Sequence, residues 1–384
     1  MTSKLQNNGW LIRNLSKVAI FISLSFIQLD SVYAQRERDH LAAPLPRVEI
    51  PGTQLLKITS AIVGQEYDLF IHLPRHYEDT AKSFPVLYLL DAQWDFPLIT
   101  AIYGEQYYDG FLPGIIIAGV TWGGRNPNHD SLRARDLTPT AIASVPQSGN
   151  AAKFLAFMKQ ELLPFIESRY RTTKNDRTLM GSSLGGLFTL YAMLQETEMF
   201  KRYVLTSPAM GWDNGAIYHY EEQYAGHHRS LPVRLFMAVG ELEETSGFKK
   251  FADHLRARNY EGLKLQTRIL EGIGHSGSKA EGFTRGLQAV FARPALAVDS
   301  ATLERYVGVY QLGPDLRVEL SHKNGRLMAS TSDGTSLDLY AETERDFYVN
   351  GQYLFVRFKD DETGKLAGFQ MERFSGEAFV RKVK

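Results

Sequence analysis

The stretch Thr178-Leu179-Met180-Gly181-Ser182-Ser183-Leu184-Gly185-Gly186-Leu187-Phe188 constrains this chain more tightly than any other. A short apolar strand leads into a tight Gly-Ser-Ser-Leu-Gly turn, and an apolar helix pattern continues through Tyr191, Met193 and Leu194. A turn of the form Gly-x-Ser-x-Gly between a strand and a helix fits a nucleophile elbow, which lifts a serine hydroxyl above the end of a sheet. The glycines allow a strained backbone and close packing that a Cβ would obstruct. The helix that follows aims its N-terminus at the site and favours developing negative charge. Ser183, centred between Gly181 and Gly185, is the candidate nucleophile.

A serine hydroxyl attacks poorly until a base takes its proton, and the base needs an orienting carboxylate. In strand-elbow-helix hydrolases the acid and then the histidine follow the serine along the chain. His275, in Glu271-Gly272-Ile273-Gly274-His275-Ser276-Gly277, lies on a loop between an expected strand at Leu263 to Leu270 and an expected helix at Gly277 to Phe291. The preceding loop, Gly240-Glu241-Leu242-Glu243-Glu244, offers three carboxylates. Spacing from Gly240 favours Glu243, with Glu241 second. Backbone N–H groups for an oxyanion hole are expected at Leu184, directly after the nucleophile, and at Gln93, beside Ala92, after the strand that ends in Asp91.

No phosphate loop, dinucleotide turn or calcium-binding loop is present, so no cofactor is expected. His219, Glu221, Glu222, His227 and His228 cluster without metalloprotease spacing, so a polar loop is expected there and no metal. Between Trp122 and Asn150 the chain is rich in Gly, Asn and Pro and is expected to form one long loop. Arg125, Arg133 and Arg135 on it are candidates for binding an anionic or catechol-rich substrate; the alternative is a solvated loop with Asp136 paired to one arginine.

Around these motifs, Leu55 to Val63 and Tyr67 to Leu73 suggest an antiparallel pair. Phe84 to Asp91 and Gly114 to Val120 are continuous apolar runs, as in strands buried on both faces. Trp94 to Tyr103, Ala151 to Arg169 and Phe248 to Arg258 suggest helices, and Tyr203 to Thr206 and Val233 to Val239 further strands. The alternation predicts an α/β fold with a mostly parallel, mixed sheet flanked by helices. After Arg293-Pro294 the texture changes to short aromatic and β-branched runs from Tyr306–Tyr310 to Ala378–Val383, separated by turns such as Lys323-Asn324-Gly325. That predicts an all-β meander, sandwich or small barrel.

The 384 residues carry 43 basic and 43 acidic side chains, a balance without the basic footprint of a nucleic-acid or membrane-surface binder. Absence of cysteine excludes disulfides, thiolate zinc sites and a cysteine nucleophile. Lys4, Arg13 and Lys17 precede an apolar run from Val18 to Leu29, and Val32 and Ala34 stand at the small positions of a cleavage site. A signal peptide cleaved after Ala34 is expected, with export to the periplasm or beyond and no stable membrane insertion afterwards. The expected divisions are a signal peptide over 1–34, a catalytic domain over 35–294 and a small all-β domain over 295–384.

Leu89-Leu90-Asp91-Ala92-Gln93-Trp94, Arg133-x-Arg135-Asp136-Leu137-Thr138-Pro139, Gly181-Ser182-Ser183-Leu184-Gly185-Gly186, Val239-Gly240-Glu241-Leu242-Glu243 and Gly274-His275 together carry a resemblance. Residues of about 47 to 292 resemble the esterase-D-like "putative esterase" branch of the α/β-hydrolases, which includes ferric enterobactin and salmochelin esterases, feruloyl esterases and mycolyl transferases. The Arg-x-Arg-Asp-x-Thr-Pro block is similar to the siderophore-esterase side. The resemblance implies Ser183 as nucleophile, His275 as base, Glu243 or Glu241 as acid, and Leu184 and Gln93 as oxyanion donors. Ala92 stands where the family often has glycine, and the family's acid is often aspartate. Residues 300 to 384, beginning Leu303-Glu304-Arg305-Tyr306, look like a small β domain appended to some bacterial serine hydrolases. The expected activity is ester hydrolysis through an acyl-enzyme on a small-molecule siderophore or aryl ester. The alternatives are a broad short-chain carboxylesterase, an acyltransferase, and a binding protein on an inactive hydrolase scaffold.

Overall fold

The computed structural model describes residues 48–78 and 81–383, so the expected signal peptide and the linker after it lie outside the described residues. An eight-stranded sheet forms the first part, in the order β1-β2-β4-β3-β5-β6-β7-β8. Its strands are β1 (Thr53–Ser60), β2 (Gln65–His72), β3 (Phe84–Leu89), β4 (Ile116–Trp122), β5 (Thr172–Ser182), β6 (Arg202–Thr206), β7 (Arg234–Gly240) and β8 (Lys264–Leu270). β2 runs antiparallel to both β1 and β4, and β4 through β8 are mutually parallel. Burial follows position in the sheet. Every residue of central β4 is buried, while β1 and β8 at the edges alternate with exposed polar residues.

Successive residues of β6 and β7 face opposite layers, as the pleat requires. Tyr203, Leu205, Leu235 and Met237 join a core with α3 (Ala151–Phe157), α5 (Leu184–Gln195), α6 (Ala216–His227) and α7 (Ser246–Arg258). Val204 and Phe236 face the other way, against α8 (Ser278–Val290), which lies beside α1 (Ala92–Tyr108).

Three local expectations change. The Trp122–Asn150 segment holds a helix, α2 (His129–Leu137), whose N-cap Asn128 side chain accepts from the Ser131 N–H at 3.1 Å. Its weak apolar periodicity hid it, because Asp136 rather than an apolar stripe anchors it: that buried carboxylate accepts from the Tyr67 hydroxyl (2.6 Å) and the Trp122 indole N–H (2.7 Å). The expected helix at Ala151 to Arg169 is interrupted, running as α3, a π-turn at Met158–Leu162 and α4 (Leu163–Glu167). Pro164 has no N–H to close an α-turn, which accounts for the widened turn before it. The His219 cluster lies on helix α6 rather than in a loop. There Glu221 is buried, and its carboxylate accepts from Arg258 (2.8 Å), Tyr260 (2.5 Å) and His254.

Beyond residue 300 the chain forms a closed antiparallel barrel, settling the choice among meander, sandwich and barrel. It opens with a helix rather than a strand, α9 (Ser300–Tyr306), capped by Asp299, which accepts from the Thr302 N–H at 2.9 Å. The strands are β9 (Gly308–Gln311), β10 (Arg317–Lys323), β11 (Arg326–Thr331), β12 (Ser336–Ala341), β13 (Asp346–Tyr348), β14 (Leu354–Asp360), β15 (Leu366–Arg373) and β16 (Gly376–Lys382). β9 closes the ring by pairing with both β10 and β16. Among the described residues no helix is long and apolar enough to cross a membrane.

The barrel docks on the end of α1 remote from Gln93. Tyr353 meets the Tyr107 ring at 5.1 Å and donates its hydroxyl proton to Glu372 at 2.8 Å, while Phe374 meets Tyr108 at 4.8 Å under the Arg75 guanidinium at 4.2 Å. Gly110 (φ 74°) completes the seam, since a Cβ there would stand 2.4 Å from the Gln352 carbonyl oxygen. α1 starts at the C-terminal end of β3 and spans 17 residues, about 25 Å of helix. The barrel therefore lies away from the edge where β5, β7 and β8 end.

Candidate active site

β5 delivers Ser183 to the C-terminal edge of the sheet, where its backbone takes φ 59° and ψ −118° before α5 begins at Leu184. A side chain at Gly181 would put its Cβ 2.5 Å from the Gly185 carbonyl group, so the chain can double back here only with glycine at 181. Ser183 is held on both sides of its peptide: its N–H donates to the Thr206 carbonyl (3.1 Å), and its carbonyl accepts from Ala209 (3.1 Å). Ser183 is half-buried at the head of α5.

His275 stands on the exposed loop after β8, and its Nδ1 lies 2.6 Å from Glu243 Oε2. The other Glu243 oxygen accepts from Ser207 Oγ (2.6 Å) and from the Gly240 N–H (2.8 Å). Burial pushes the Glu243 carboxyl up, but the bonds from Ser207, His275 and Gly240 outweigh it and hold it below the ordinary glutamate value. Of the two glutamates considered, Glu243 is the one that reaches His275. Glu241 is exposed and accepts from the Gly272 N–H at 2.9 Å. The Nδ1 contact leaves the Nε2 face of His275 free for a reacting proton. No hydrogen bond joins Ser183 to His275 among the described residues, an open arrangement common in ligand-free sites.

Ser207 was not foreseen from the sequence, yet it ties the site together. It directly follows β6 with φ 45°, and its N–H donates to the Ala238 carbonyl at 2.7 Å. Ser278 Oγ lies 2.7 Å from both Ser207 Oγ and the His275 carbonyl oxygen. With the Ser207 proton committed to Glu243, the single Ser278 proton is shared between those two acceptors. Strand end, acid and histidine loop are thus one network. A serine next to a proline at a strand end was its only trace in the sequence.

Leu184 and Gln93 occupy first-turn positions of α5 and α1, whose N–H groups have no carbonyl one turn back to bond. Asp91, just before α1, takes a left-handed φ of 53° and is buried. Arg133 grips it with two bonds, Nε to Oδ1 at 3.1 Å and a terminal nitrogen to Oδ2 at 2.9 Å. Asp95, one turn along α1, accepts from Lys279 of α8 at 2.7 Å; burial pushes its carboxyl up against the pull of that lysine. The three arginines thus part company. Arg133 clamps Asp91, Arg135 is bound to Asp136 at 2.7 Å, and Arg125 is exposed on the loop before α2.

Comparison with known proteins fits this geometry. Residues 60–293 match the family model "Putative esterase", and residues 292–381 match a domain of unknown function, DUF3471. The ferri-bacillibactin esterase BesA of Bacillus subtilis (strain 168) is 29% identical over 248 residues, 59% of this chain and 85% of its own. The siderophore triacetylfusarinine C esterase of Aspergillus fumigatus is 25% identical over 214 residues, 53% of this chain and 73% of its own. Among solved structures, the BES protein from Bacillus cereus superposes with a TM-score of 0.58 at 26% identity, covering 65% of this chain and 98% of that one. The enterobactin and salmochelin hydrolase IroE shares the fold at a TM-score of 0.52 and 19% identity, covering 64% and 98%. With a family model spanning more than half its length, this chain belongs to the "Putative esterase" family of ester hydrolases.

Proposed function

We propose that this protein is an exported serine esterase that cleaves siderophore-type esters through an acyl-enzyme. The observation that carries the reading is the strained Ser183 elbow, set on the same sheet edge as a His275–Glu243 pair. Ser183 Oγ attacks the ester carbonyl carbon while His275 Nε2 takes its proton, and the Glu243 carboxylate offsets the imidazolium charge. The Leu184 and Gln93 N–H groups receive the oxyanion. Collapse of the tetrahedral intermediate breaks the bond to the alcohol oxygen, which leaves with the proton from His275. Water, deprotonated by the same histidine, then frees the acid and restores Ser183.

Siderophore esters are favoured by the names of the relatives, ferri-bacillibactin and triacetylfusarinine C esterases, and by the exposed Arg125, on the loop after β4, as a cation for an anionic iron chelate. Export rests on the charged, apolar and small-residue succession that ends at Ala34. The test is turnover of ferric siderophores, feruloyl sugars and simple acyl esters by wild-type and Ser183→Ala protein, with acceptor alcohols added to separate hydrolysis from transfer. Ferric siderophores are expected to be the preferred substrates. Undiminished hydrolysis by Ser183→Ala, or a fluorophosphonate that fails to label Ser183, would overturn the mechanism.

A further inference from the structure

An eight-stranded barrel is just wide enough either to be filled by side chains or to hold one small ligand. This barrel does both, at opposite ends. At the end next to α9, Tyr306 stacks on Phe358 at 3.7 Å between ring centroids, Leu303 joins the same core, and His322 of β10 bonds Glu304 of α9 at 3.0 Å. That end is plugged. At the other end the barrel encloses a cavity of about 110 Å³, lined by Leu312, Ala329, Leu337, Leu354, Met371 and Arg373 among others. An unfilled apolar void costs stability in proportion to its volume, so its retention beside a tightly stacked end calls for an explanation.

Arg373 supplies one. It shares the inward register of Phe369 and Met371 on β15, directly across from Leu354, and sits where the barrel opens. Among the described residues no carboxylate or other acceptor engages its guanidinium. Arg345 and Arg357 are paired with Asp360 and Asp346, and among the arginines on the barrel strands only Arg373 lines this cavity. A mostly apolar chamber with Thr331, Thr335 and one exposed guanidinium in its lining is complementary to a molecule with an apolar tail and an anionic head.

We propose that the open end of the barrel binds a small amphipathic carboxylate, its tail in the cavity and its carboxylate on Arg373. Volume sets the tail. A dry apolar cavity of about 150 Å³ accommodates benzene, so this smaller one suits an alkyl chain of roughly four to five carbons. The site is separate from Ser183, and its rim residues Leu354 and Arg373 adjoin the seam residues Tyr353 and Phe374.

Calorimetric titration of the full chain with sodium hexanoate, and separately with the neutral analogue hexanamide, tests the assignment. Hexanoate is expected to bind saturably at one site. Arg373→Met is expected to weaken hexanoate at least about tenfold while leaving hexanamide unchanged, as loss of a charge-assisted pair requires. Ala329→Phe, which fills the chamber, is expected to abolish both, with the melting transition and the hydrolysis of p-nitrophenyl acetate reporting that each variant is folded. Absence of saturable hexanoate binding up to about 10 mM overturns the proposal. So does hexanoate binding that Arg373→Met leaves intact, a result readable even if Ala329→Phe fails to fold.

Discussion

At the C-terminal edge of the sheet, three loops turn through backbone conformations that L-residues avoid, with φ 53° at Asp91, 59° at Ser183 and 45° at Ser207. In the barrel the one described non-glycine residue of that kind is Asn324, in the Asn324-Gly325 hairpin turn, where a left-handed residue is the ordinary solution. Left-handed non-glycine residues also occur elsewhere in the sheet domain, Asn175 and Asn259 among them, but at this edge three adjoin the candidate site residues, while the barrel closes its ring with one. The two regions also differ in what holds them. The sheet edge is tied by side-chain oxygens and ions, with Glu243, Asp91 and Asp95 each engaged at hydrogen-bond distance. The barrel and its seam are held by packed rings, edge-to-face at Tyr107–Tyr353 and Tyr108–Phe374 and stacked at Tyr306–Phe358.

That division predicts that substitutions at the edge alter rate and those at the seam alter stability. The largest effect is expected for Ser183→Ala, a loss of about 10⁴–10⁶ in kcat for p-nitrophenyl esters with little change in melting temperature. Glu243→Gln is expected to lower kcat by about 10³-fold, measured on the same esters. It should also flatten the acid limb of the stability curve. Because the folded-state value of Glu243 lies below its unfolded value, its contribution is complete above the ordinary glutamate range and is lost as pH falls through the folded value. Melting temperatures from pH 7 down to pH 3 measure it, and an unchanged acid limb would count against the Glu243 network.

Arg133→Met leaves the buried Asp91 carboxylate uncompensated and is expected to cost about 3–5 kcal/mol in urea unfolding, with a fall in kcat as the Gln93 loop loses its support. At the seam, Gly110→Ala is expected to cost about 1–3 kcal/mol, from its left-handed φ and the Gln352 carbonyl, while kcat changes by less than about threefold. Smallest is Tyr353→Phe, which removes the bond to Glu372 at about 1 kcal/mol or less. A seam variant that lost activity while keeping its stability would break the comparison.

The elbow was legible because it needs glycine at fixed offsets, and the His275 loop because it lies between a strand and a helix in the right chain order. The choice between Glu241 and Glu243 was not, since two carboxylates two residues apart differ only in which way the loop points them. α2 and α6 escaped because buried carboxylates, Asp136 and Glu221, secure them where periodicity would have shown an apolar stripe. Closure of the barrel depends on β9, four residues that pair on both sides, and no local pattern encodes a second partner. Ser207 and Asp91 owe their roles wholly to tertiary contacts.

α1 acquires a mechanical meaning from its two ends. It is a beam held at both ends, by aromatic rings at Tyr107 and Tyr108 and, about 21 Å away, by Arg133 on Asp91 and Lys279 on Asp95 beside Gln93. A free lever of that length would carry a tilt of about one degree to its tip as roughly 0.4 Å, and the two ion pairs oppose that movement. Disturbance at the barrel seam is therefore taken up along the helix before it reaches Gln93.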